Sequence, residues 1–195
     1  ISFDEGLGTV AADGSGNENP AGLSAAAWAE GISGYCLDCD GTDYADLESI
    51  ISTTAISVSQ WVKGVSGSTD QRFIDNYNNA TSNSVSFGVD NSITYNLGVF
   101  LLDGTTGEWI DGGELIPDNN WHCVGFSFDN VTKTCKIYLD GLLIKTATYS
   151  GGTVDLTERV LRVGARKSDG TKNCAGQIDE TIVYSRILTD DEFRA

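Results

Sequence analysis

The sequence predicts an antiparallel all-β fold, and the clearest indication lies in residues 120–141. Val124, Phe126 and Phe128 alternate with small or polar residues, which is the pattern of a half-buried strand, and the alternation returns from Cys135 to Leu139. Asp-Asn at 129–130 is a typical turn sequence, and Asp-Gly at 140–141 is a strong hairpin signal. We therefore expect the surrounding chain to continue as antiparallel sheet.

The length and composition fit one such domain. The chain has 195 residues, with 23 Gly and only 2 Pro, which suits many short turns better than a linker. All-β domains of about 200 residues often form one unit, and this length is enough to bury a substantial core. Because the sequence shows no internal repeat, we predict a single domain over residues 1–195.

Six short stretches resemble laminin-G-like domains, which have the concanavalin A-like jelly-roll fold. The clearest is WH-x-V at 121–124 followed by IYLDG at 137–141. Five others occur in the family's order along nearly the whole chain: FDEG with DGSGN at 3–6 and 13–17, LDCDG with DY at 37–44, ISVSQWVK at 56–63, GQIDE at 176–180, and LTDDE at 188–192. The resemblance implies a two-sheet antiparallel β-sandwich. This fold hosts lectins, adhesion modules and enzymes alike, so it implies no single function.

The elements can be assigned in chain order. We expect a first strand at 1–6, a polar loop at 7–22, and at 23–34 a strand-like run in preference to a short helix. Further strands are predicted at 35–41, 53–65, 85–89, 95–102, 108–110, 143–148, 159–164 and 177–184, the last returning beside the first. Thr189 and Glu192 form a capping box, which predicts a short C-terminal helix.

Charge narrows the range of partners. The chain carries 28 acidic and 12 basic residues, a net charge of −16. Nucleic acid is disfavoured because phosphate binding needs a basic face, and no apolar run approaches the roughly 20 residues of a membrane helix. Divalent cations are favoured, although solubility in a secreted or saline setting explains the charge equally well. With no Met and no visible signal peptide, we expect one domain of a larger protein, secreted or displayed on a cell or virion surface.

Five cysteines leave at least one thiol unpaired. Cys36 and Cys39 have the spacing of a metal or redox pair, but a four-cysteine zinc site would need a second such pair. By the resemblance, Cys39 takes a core position. In the family fold the strands around Leu37 and Ile178 share a sheet, so the resemblance implies, as a hypothesis, a bridge from Cys174 to Cys39 or to Cys36.

The loop at 13–19, DGSGNEN, offers the oxygen ligands that calcium prefers: carboxylates, amides and carbonyls on a glycine-rich turn. It lacks the spacing of an EF-hand, and an ordinary turn without an ion is the alternative. The resemblance implies one structural Ca²⁺ that ties this loop to the closing strand. Its ligands would be Asp13, Gly16, Asn17 and Asp179, with Asn19 and Glu5 as additional candidates.

Catalysis is not predicted. Glucanases of this fold carry E-x-D-x-E or E-x-D-x-x-E on one strand, whereas Glu108, Asp111 and Glu114 are spaced three and three, so the first two would face opposite sides of a strand. The only histidine, His122, lies beside Trp121 on a predicted core strand and has a structural explanation. We predict no enzyme, with glycoside hydrolysis as a remote alternative.

Glycan binding needs exposed aromatic side chains that stack on sugars, with polar partners beside them. Three tryptophans are expected to be used in packing: Trp28, Trp61 and Trp121. Trp109 differs because it lies in an acidic, turn-rich stretch with Asp111, and Tyr77 and Phe73 are expected in loops. The predicted ligand-binding residues are Trp109, Asp111 and Tyr77, the alternative being that these aromatics pack under their own loops.

These observations predict a non-catalytic, calcium-stabilised recognition module with a glycan as the first ligand class. The main alternative is a structural module, or one that binds a cell-surface or matrix protein in adhesion, without a glycan.

Overall fold

The computed structural model describes residues 1–25, 27–50, 54–65, 70–90, 95–114, 116, 118–157 and 160–194, with only the backbone at 48–50. The described chain is all-β. Its strands are β1 (Val10–Ala11), β2 (Ala21–Ser24), β3 (Ala27–Glu30), β4 (Tyr35–Asp40), β5 (Tyr44–Ile50), β6 (Ala55–Lys63), β7 (Gln71–Asp75), β8 (Asn83–Asp90), β9 (Asn96–Asp103), β10 (Gly107–Asp111), β11 (His122–Asp129), β12 (Thr134–Leu139), β13 (Leu142–Thr148), β14 (Val160–Val163) and β15 (Ala175–Tyr184).

The strands form two antiparallel sheets packed as a sandwich, which confirms the predicted fold class. One sheet has eight strands in the order β1-β2-β5-β14-β7-β8-β9-β10, and the other has seven in the order β13-β12-β11-β6-β15-β4-β3. The predicted strand starts at 53 and 159 lie outside the described residues. In the described part of the chain, no helix has the length and apolar character to cross a membrane.

The core lies between the sheets and follows the alternation read from the sequence. Val124, Phe126 and Phe128 on β11 are fully buried. Phe126 meets Phe87 of the opposite sheet with ring centroids 5.1 Å apart, and Phe87 also packs edge-on against Phe73. Phe73, expected in a loop, is therefore a core residue of β7, a strand that the sequence reading missed.

The hairpin between β12 and β13 confirms the turn predicted at Asp140-Gly141. Both residues have positive φ, 49° and 73°, as a type I′ turn requires. The Asp140 carboxylate accepts hydrogen bonds from the Cys123 backbone at 3.0 Å and from His122 Nδ1 at 2.8 Å, while His122 Nε2 lies 3.1 Å from Asp118. These contacts give His122 a structural role as a clamp between two carboxylates.

The first predicted strand is absent. Residues 1–6 form turns and irregular backbone, yet they pack where a first strand would lie. The Ile1 ammonium donates to the Thr181 carbonyl of β15 at 2.7 Å, and Phe3 is fully buried. Residues 1–6 are therefore held by individual contacts and not by strand pairing. The polar loop at 7–22 also contains β1 and the buried Ala11.

The predicted C-terminal helix is also wrong, because residues 190–193 form a turn. The capping contact exists: the Thr189 amide donates to Glu192 Oε2 at 2.8 Å. However, Phe193 stacks on Tyr138 with centroids 3.8 Å apart. A single turn satisfies this contact, and one turn is too short to offset the cost of nucleating a helix.

Candidate functional site

Three aromatic side chains adjoin one another on the outer face of the eight-stranded sheet. Trp109 of β10 pairs with Phe100 of β9, whereas the next pair, Ile110 with Val99, faces the core. Because strand side chains alternate, Trp109 and Phe100 point away from the core. Tyr77 lies edge-on to Phe100 with centroids 6.2 Å apart. The three rings are half-buried, and we call them the aromatic face.

Glycine explains how Trp109 lies on the sheet. A Cβ placed on Gly98 of β9 would come within 2.5 Å of the Trp109 ring, so the ring occupies the space that a side chain there would fill. Gly98 pairs with Gly88 of β8. The Arg72 guanidinium lies 5.1 Å from the Trp109 ring centroid and donates to Asp90 at 2.8 Å. Trp109 is therefore held between strand backbone and a cation.

Tyr77 is held by a buried carboxylate. Asp75, at the end of β7, has no exposed surface and accepts hydrogen bonds from the amides of Tyr77 and Lys167, each at 2.8 Å, and from the Ser86 hydroxyl. Burial raises the pKa of Asp75 above its usual value. The 165–173 loop, which contains Lys167, also places the Arg166 guanidinium 4.4 Å from the centroid of the Tyr77 ring. Asp75 thus fixes the 165–173 loop against the aromatic face.

A second aromatic–arginine pair lies on β5 and β14 of the same sheet. The Arg162 guanidinium is 3.5 Å from the Tyr44 ring centroid and makes a two-pronged contact with Asp46, at 2.8 and 2.9 Å. Lys167 also donates to Asp46, at 2.8 Å. Although burial acts to raise it, these donors hold the pKa of Asp46 below its usual value.

The basic side chains on this face pair with carboxylates, some of which are shared. Arg72 and Lys172 both contact Asp90, Arg162 and Lys167 both contact Asp46, and Lys172 also contacts Asp70. Charge pairing therefore lowers the local positive potential in a chain whose net charge is −16. The paired arginines therefore offer planar, oriented hydrogen-bond donors without a large excess of positive charge.

Two of the predicted ligand-binding residues, Trp109 and Asp111, lie on β10 of this sheet, and Tyr77 lies in the loop that follows β7. Trp109 is the cross-strand partner of Phe100, and the Tyr77 ring lies edge-on to the Phe100 ring. Asp111 is on the same side of β10 as Trp109. The Asp111 carboxylate accepts hydrogen bonds from the Gly113 backbone amide at 2.9 Å and from the Asn96 side-chain amide at 3.3 Å.

Sequence reasoning missed Phe100, Arg72, Arg162 and Tyr44. Gly98 in a strand interior was the available signal for a covering aromatic ring. The expectation that Trp28, Trp61 and Trp121 pack in the core is only partly right, because all three are half-buried.

The Asp13 loop is organised by its own hydrogen bonds. Asp13 accepts from the Ser15 amide and hydroxyl, both at 2.8 Å, and from the Asn19 amide at 3.1 Å. These contacts, led by that with Ser15, lower the pKa of Asp13. Gly16 has a φ of 81°, and the Asn17 side-chain amide donates to the Ser15 hydroxyl. Asp13 therefore stays ionised at the surface of the loop.

Asp179, another of the predicted calcium ligands, is buried and accepts hydrogen bonds from backbone amides. It accepts from the Ile32 amide at 2.9 Å and from the Glu180 amide at 2.8 Å. Burial raises the pKa of Asp179 to about 6. A Cβ on Gly31 would collide with its carboxylate, so glycine is required at that turn. The visible role of Asp179 is to hold the 31–34 turn.

One carboxylate near residue 1 has an oxygen atom that a bound cation could satisfy. Glu5 Oε1 accepts from the Ala12 amide at 2.7 Å, but its buried Oε2 has no hydrogen-bond partner. Asp13, Glu180 and Glu5 all act electrostatically on the Ile1 ammonium. Among the described residues, no group of three or more carboxylate, histidine or cysteine side chains is placed to hold a metal. Calcium binding stays a prediction.

A cavity of about 390 Å³ lies under the Asp13 loop, away from the aromatic face. Its walls include Leu47, Leu161 and Val183 together with polar residues of the loop, and no aromatic side chain lines it. Since stacking on rings is the main apolar contact that sugars make, the aromatic face is the better candidate site.

The carboxylates considered for catalysis are separated by the pleat of β10. Trp109 and Asp111 share the outer side, while Glu108 lies on the alternate side and accepts hydrogen bonds from the Ser150 amide and hydroxyl at 2.8 and 2.7 Å.

The two antiparallel sheets form a β-sandwich. The chain belongs to the concanavalin A-like lectin/glucanases superfamily, because the laminin G model of that superfamily matches residues 40–193. A comparison with curated protein sequences found no match.

Solved structures share the fold. Domain 4 of AbnA, a GH43 extracellular arabinanase from Geobacillus stearothermophilus in complex with arabinotriose, has a TM-score of 0.80 at 22% identity, covering 99% of this chain and 94% of that domain. The heptameric SAP-like pentraxin from Limulus polyphemus has a TM-score of 0.59 at 13% identity, covering 77% and 73%. The botulinum neurotoxin serotype D binding domain has a TM-score of 0.67 at 16% identity, covering 94% of this chain and 47% of that one. At these identities, the similarity is one of fold.

Proposed function

We propose that this domain is a non-catalytic module that binds carbohydrate on the aromatic face. The observation that carries the proposal is the contiguous surface of Tyr77, Phe100 and Trp109, with arginines set beside two of the rings. Aromatic rings bind the apolar faces of sugars, and the guanidinium and carboxylate groups at their edges bind hydroxyls. Trp109 is already ordered by Gly98 and Arg72, so binding would cost little side-chain entropy.

We propose a neutral oligosaccharide as the ligand. The paired cations of this face and the chain's net charge of −16 offer no excess positive charge for a polyanion. Domain 4 of AbnA was solved with arabinotriose, which makes that neutral sugar a reasonable first probe.

Calcium is proposed as a structural ion. Asp13 and Glu5 would hold it, with Gly16, Asn17 and Asn19 as further oxygen donors on the same loop. The ion would supply only charge neutralisation there, and it would satisfy the unpartnered Glu5 oxygen. Asp179 would support the site indirectly by holding the 31–34 turn.

We further propose that the domain acts outside the cell as part of a larger protein. The excess of acidic residues suits that setting, and the AbnA domain with the same fold comes from an extracellular enzyme. Nucleic acid and membrane insertion are not expected.

The test compares two tryptophan variants. Trp109→Ala removes a ring from the aromatic face. Trp121→Ala is the matched control, because Trp121 is also half-buried beside a cation, Lys63 at 5.6 Å, but belongs to the region of the other sheet. Calorimetric titration with arabinotriose, preceded by a glycan-array screen, measures affinity for the wild type and both variants.

We expect Trp109→Ala to weaken binding at least about tenfold, which corresponds to roughly 1.4 kcal/mol, and Trp121→Ala to leave it unchanged. Thermal unfolding must first show that both variants are folded. If the folded wild type binds no glycan in the screen, the proposal is wrong, and a protein partner becomes the better hypothesis.

A further inference from the structure

Two buried cysteines lie at the junction of β4 and β15. Cys39 of β4 pairs with Gly176 of β15, and Cys174 immediately precedes the first residue of β15. Both belong to the main core, with exposures of 4% and 0%.

Gly164 lies against both cysteines. The Cys174 amide donates to the Gly164 carbonyl at 2.7 Å, and a Cβ on Gly164 would lie 3.2 Å from Cys39 Sγ. The missing side chain of Gly164 thus leaves room for the Cys39 sulfur close to the Cys174 backbone. The neighbouring Cys174 thiol, together with burial, raises the pKa of Cys39 well above its usual value.

Two of the other cysteines, Cys36 and Cys135, do not compete for Cys174 in this arrangement. Cys36 is three residues from Cys39 and therefore points to the other side of β4, where its Sγ lies 3.5 Å from the Glu30 carbonyl. Cys135 is buried on β12, three strands away from β15 in the sheet order. The structure therefore favours one of the two pairings that the resemblance implied.

We propose that Cys39 and Cys174, which are free thiols in this structure, form a disulfide when the domain folds in an oxidising environment. Two S–H bonds break and one S–S bond forms, and the two protons and two electrons pass to a small disulfide oxidant such as oxidised glutathione, which becomes two thiols. Exchange requires a thiolate, and these side chains are buried in the folded domain. The bond therefore forms during folding, before the core closes.

The bridge would anchor the loop that supports the aromatic face. Residues 165–173 connect Gly164 to Cys174 and carry Arg166, which lies over Tyr77, and Lys167, which bonds to Asp75. With one end of this loop tied to β4, local opening would require larger parts of both strands to separate. Oxidation should therefore protect the loop from proteolysis.

The test refolds the denatured, reduced chain in a glutathione redox buffer and in dithiothreitol. We expect the oxidised product to be two hydrogen atoms lighter, to titrate three thiols in denaturant in place of five, and to yield a peptide that links Cys39 to Cys174. Its Tm should be higher by roughly 5–15 °C, because the bridge closes a long loop. Trypsin should cut it more slowly after Arg166 and Lys167 than it cuts the reduced form.

Single Cys→Ala variants identify which two cysteines form the disulfide. Cys39→Ala and Cys174→Ala should each abolish the mass change and the protection from trypsin, whereas Cys135→Ala, which removes another buried thiol, should retain both. Peptide mapping of the wild type does not depend on the folding of any variant. Five free thiols after oxidative refolding, or a linked peptide with a different pair, would overturn the proposal.

Discussion

Gly98→Ala tests how Trp109 is positioned. The added methyl group would lie 2.5 Å from the nearest ring carbon of Trp109 and 2.7 Å from the Ile110 carbonyl oxygen, far inside contact distance. The carbonyl belongs to the paired strand β10 and cannot move without disturbing the sheet. The ring must therefore shift away from β9, and with it the contact to Arg72.

The expected cost follows from overpacking. Inserting a methyl group into a filled site costs about 1–3 kcal/mol. For a domain of this size each kcal/mol lowers Tm by roughly 2–4 °C, so Gly98→Ala should unfold about 2–12 °C below the wild type. Near-ultraviolet circular dichroism should also change, because the environment of Trp109 changes.

Gly22→Ala is the matched control. Gly22 is likewise a strand residue, on β2, but a Cβ there would meet no atom within 4 Å. Alanine reduces the freedom of the unfolded chain, so this variant should match the wild type or gain up to about 1 kcal/mol. Thermal and urea unfolding of the three proteins measure the difference. If Gly98→Ala is as stable as Gly22→Ala, Trp109 does not occupy the position described.

Three further predictions concern charge. Burial acts to lower the pKa of His122, but the carboxylates of Asp140 and Asp118 raise this pKa above 6.5. The stability that His122 contributes should therefore be complete below about pH 6.5 and lost as the pH rises through the folded pKa. The difference in unfolding free energy between the wild type and His122→Asn should therefore shrink as the pH rises above about 6.5 and through the folded pKa, and a constant difference would contradict this. Arg162→Lys cannot keep both the Asp46 fork and the Tyr44 contact, so urea unfolding should show a loss on the order of 1–3 kcal/mol. EDTA should lower the Tm of calcium-loaded wild type but not of Asp13→Ala, and an unchanged wild-type Tm would show that no ion stabilises the fold.

Local periodicity predicted the strands around the centre of the chain well. The alternation at Val124, Phe126 and Phe128 encodes a buried face directly, because side chains alternate every second residue whatever the strand pairs with. Asp140 and Gly141 specify their turn because few residues adopt positive φ easily. The C-terminal turn failed as a helix because the contact of Phe193 with Tyr138 is tertiary.

The candidate site was predictable only in part. Trp109, Asp111 and Tyr77 were identified from their polar surroundings, but the reason that Trp109 lies on the surface is Gly98, on the neighbouring strand. Phe73 was placed in a loop because its strand, β7, shows no clean alternation and is buried throughout.

The sequence by itself determined the fold class, the main hairpins and the excess of negative charge, since these depend on composition and on neighbours along the chain. Tertiary structure alone decided which charges are paired, and it separated the two cysteine pairings that the sequence had left open. Arg162 and Asp46 are 116 positions apart and become partners only because β14 is placed beside β5. Cys39 and Cys174 meet for the same reason on β4 and beside β15. Strand order brings distant residues together, and no periodicity in the sequence encodes it.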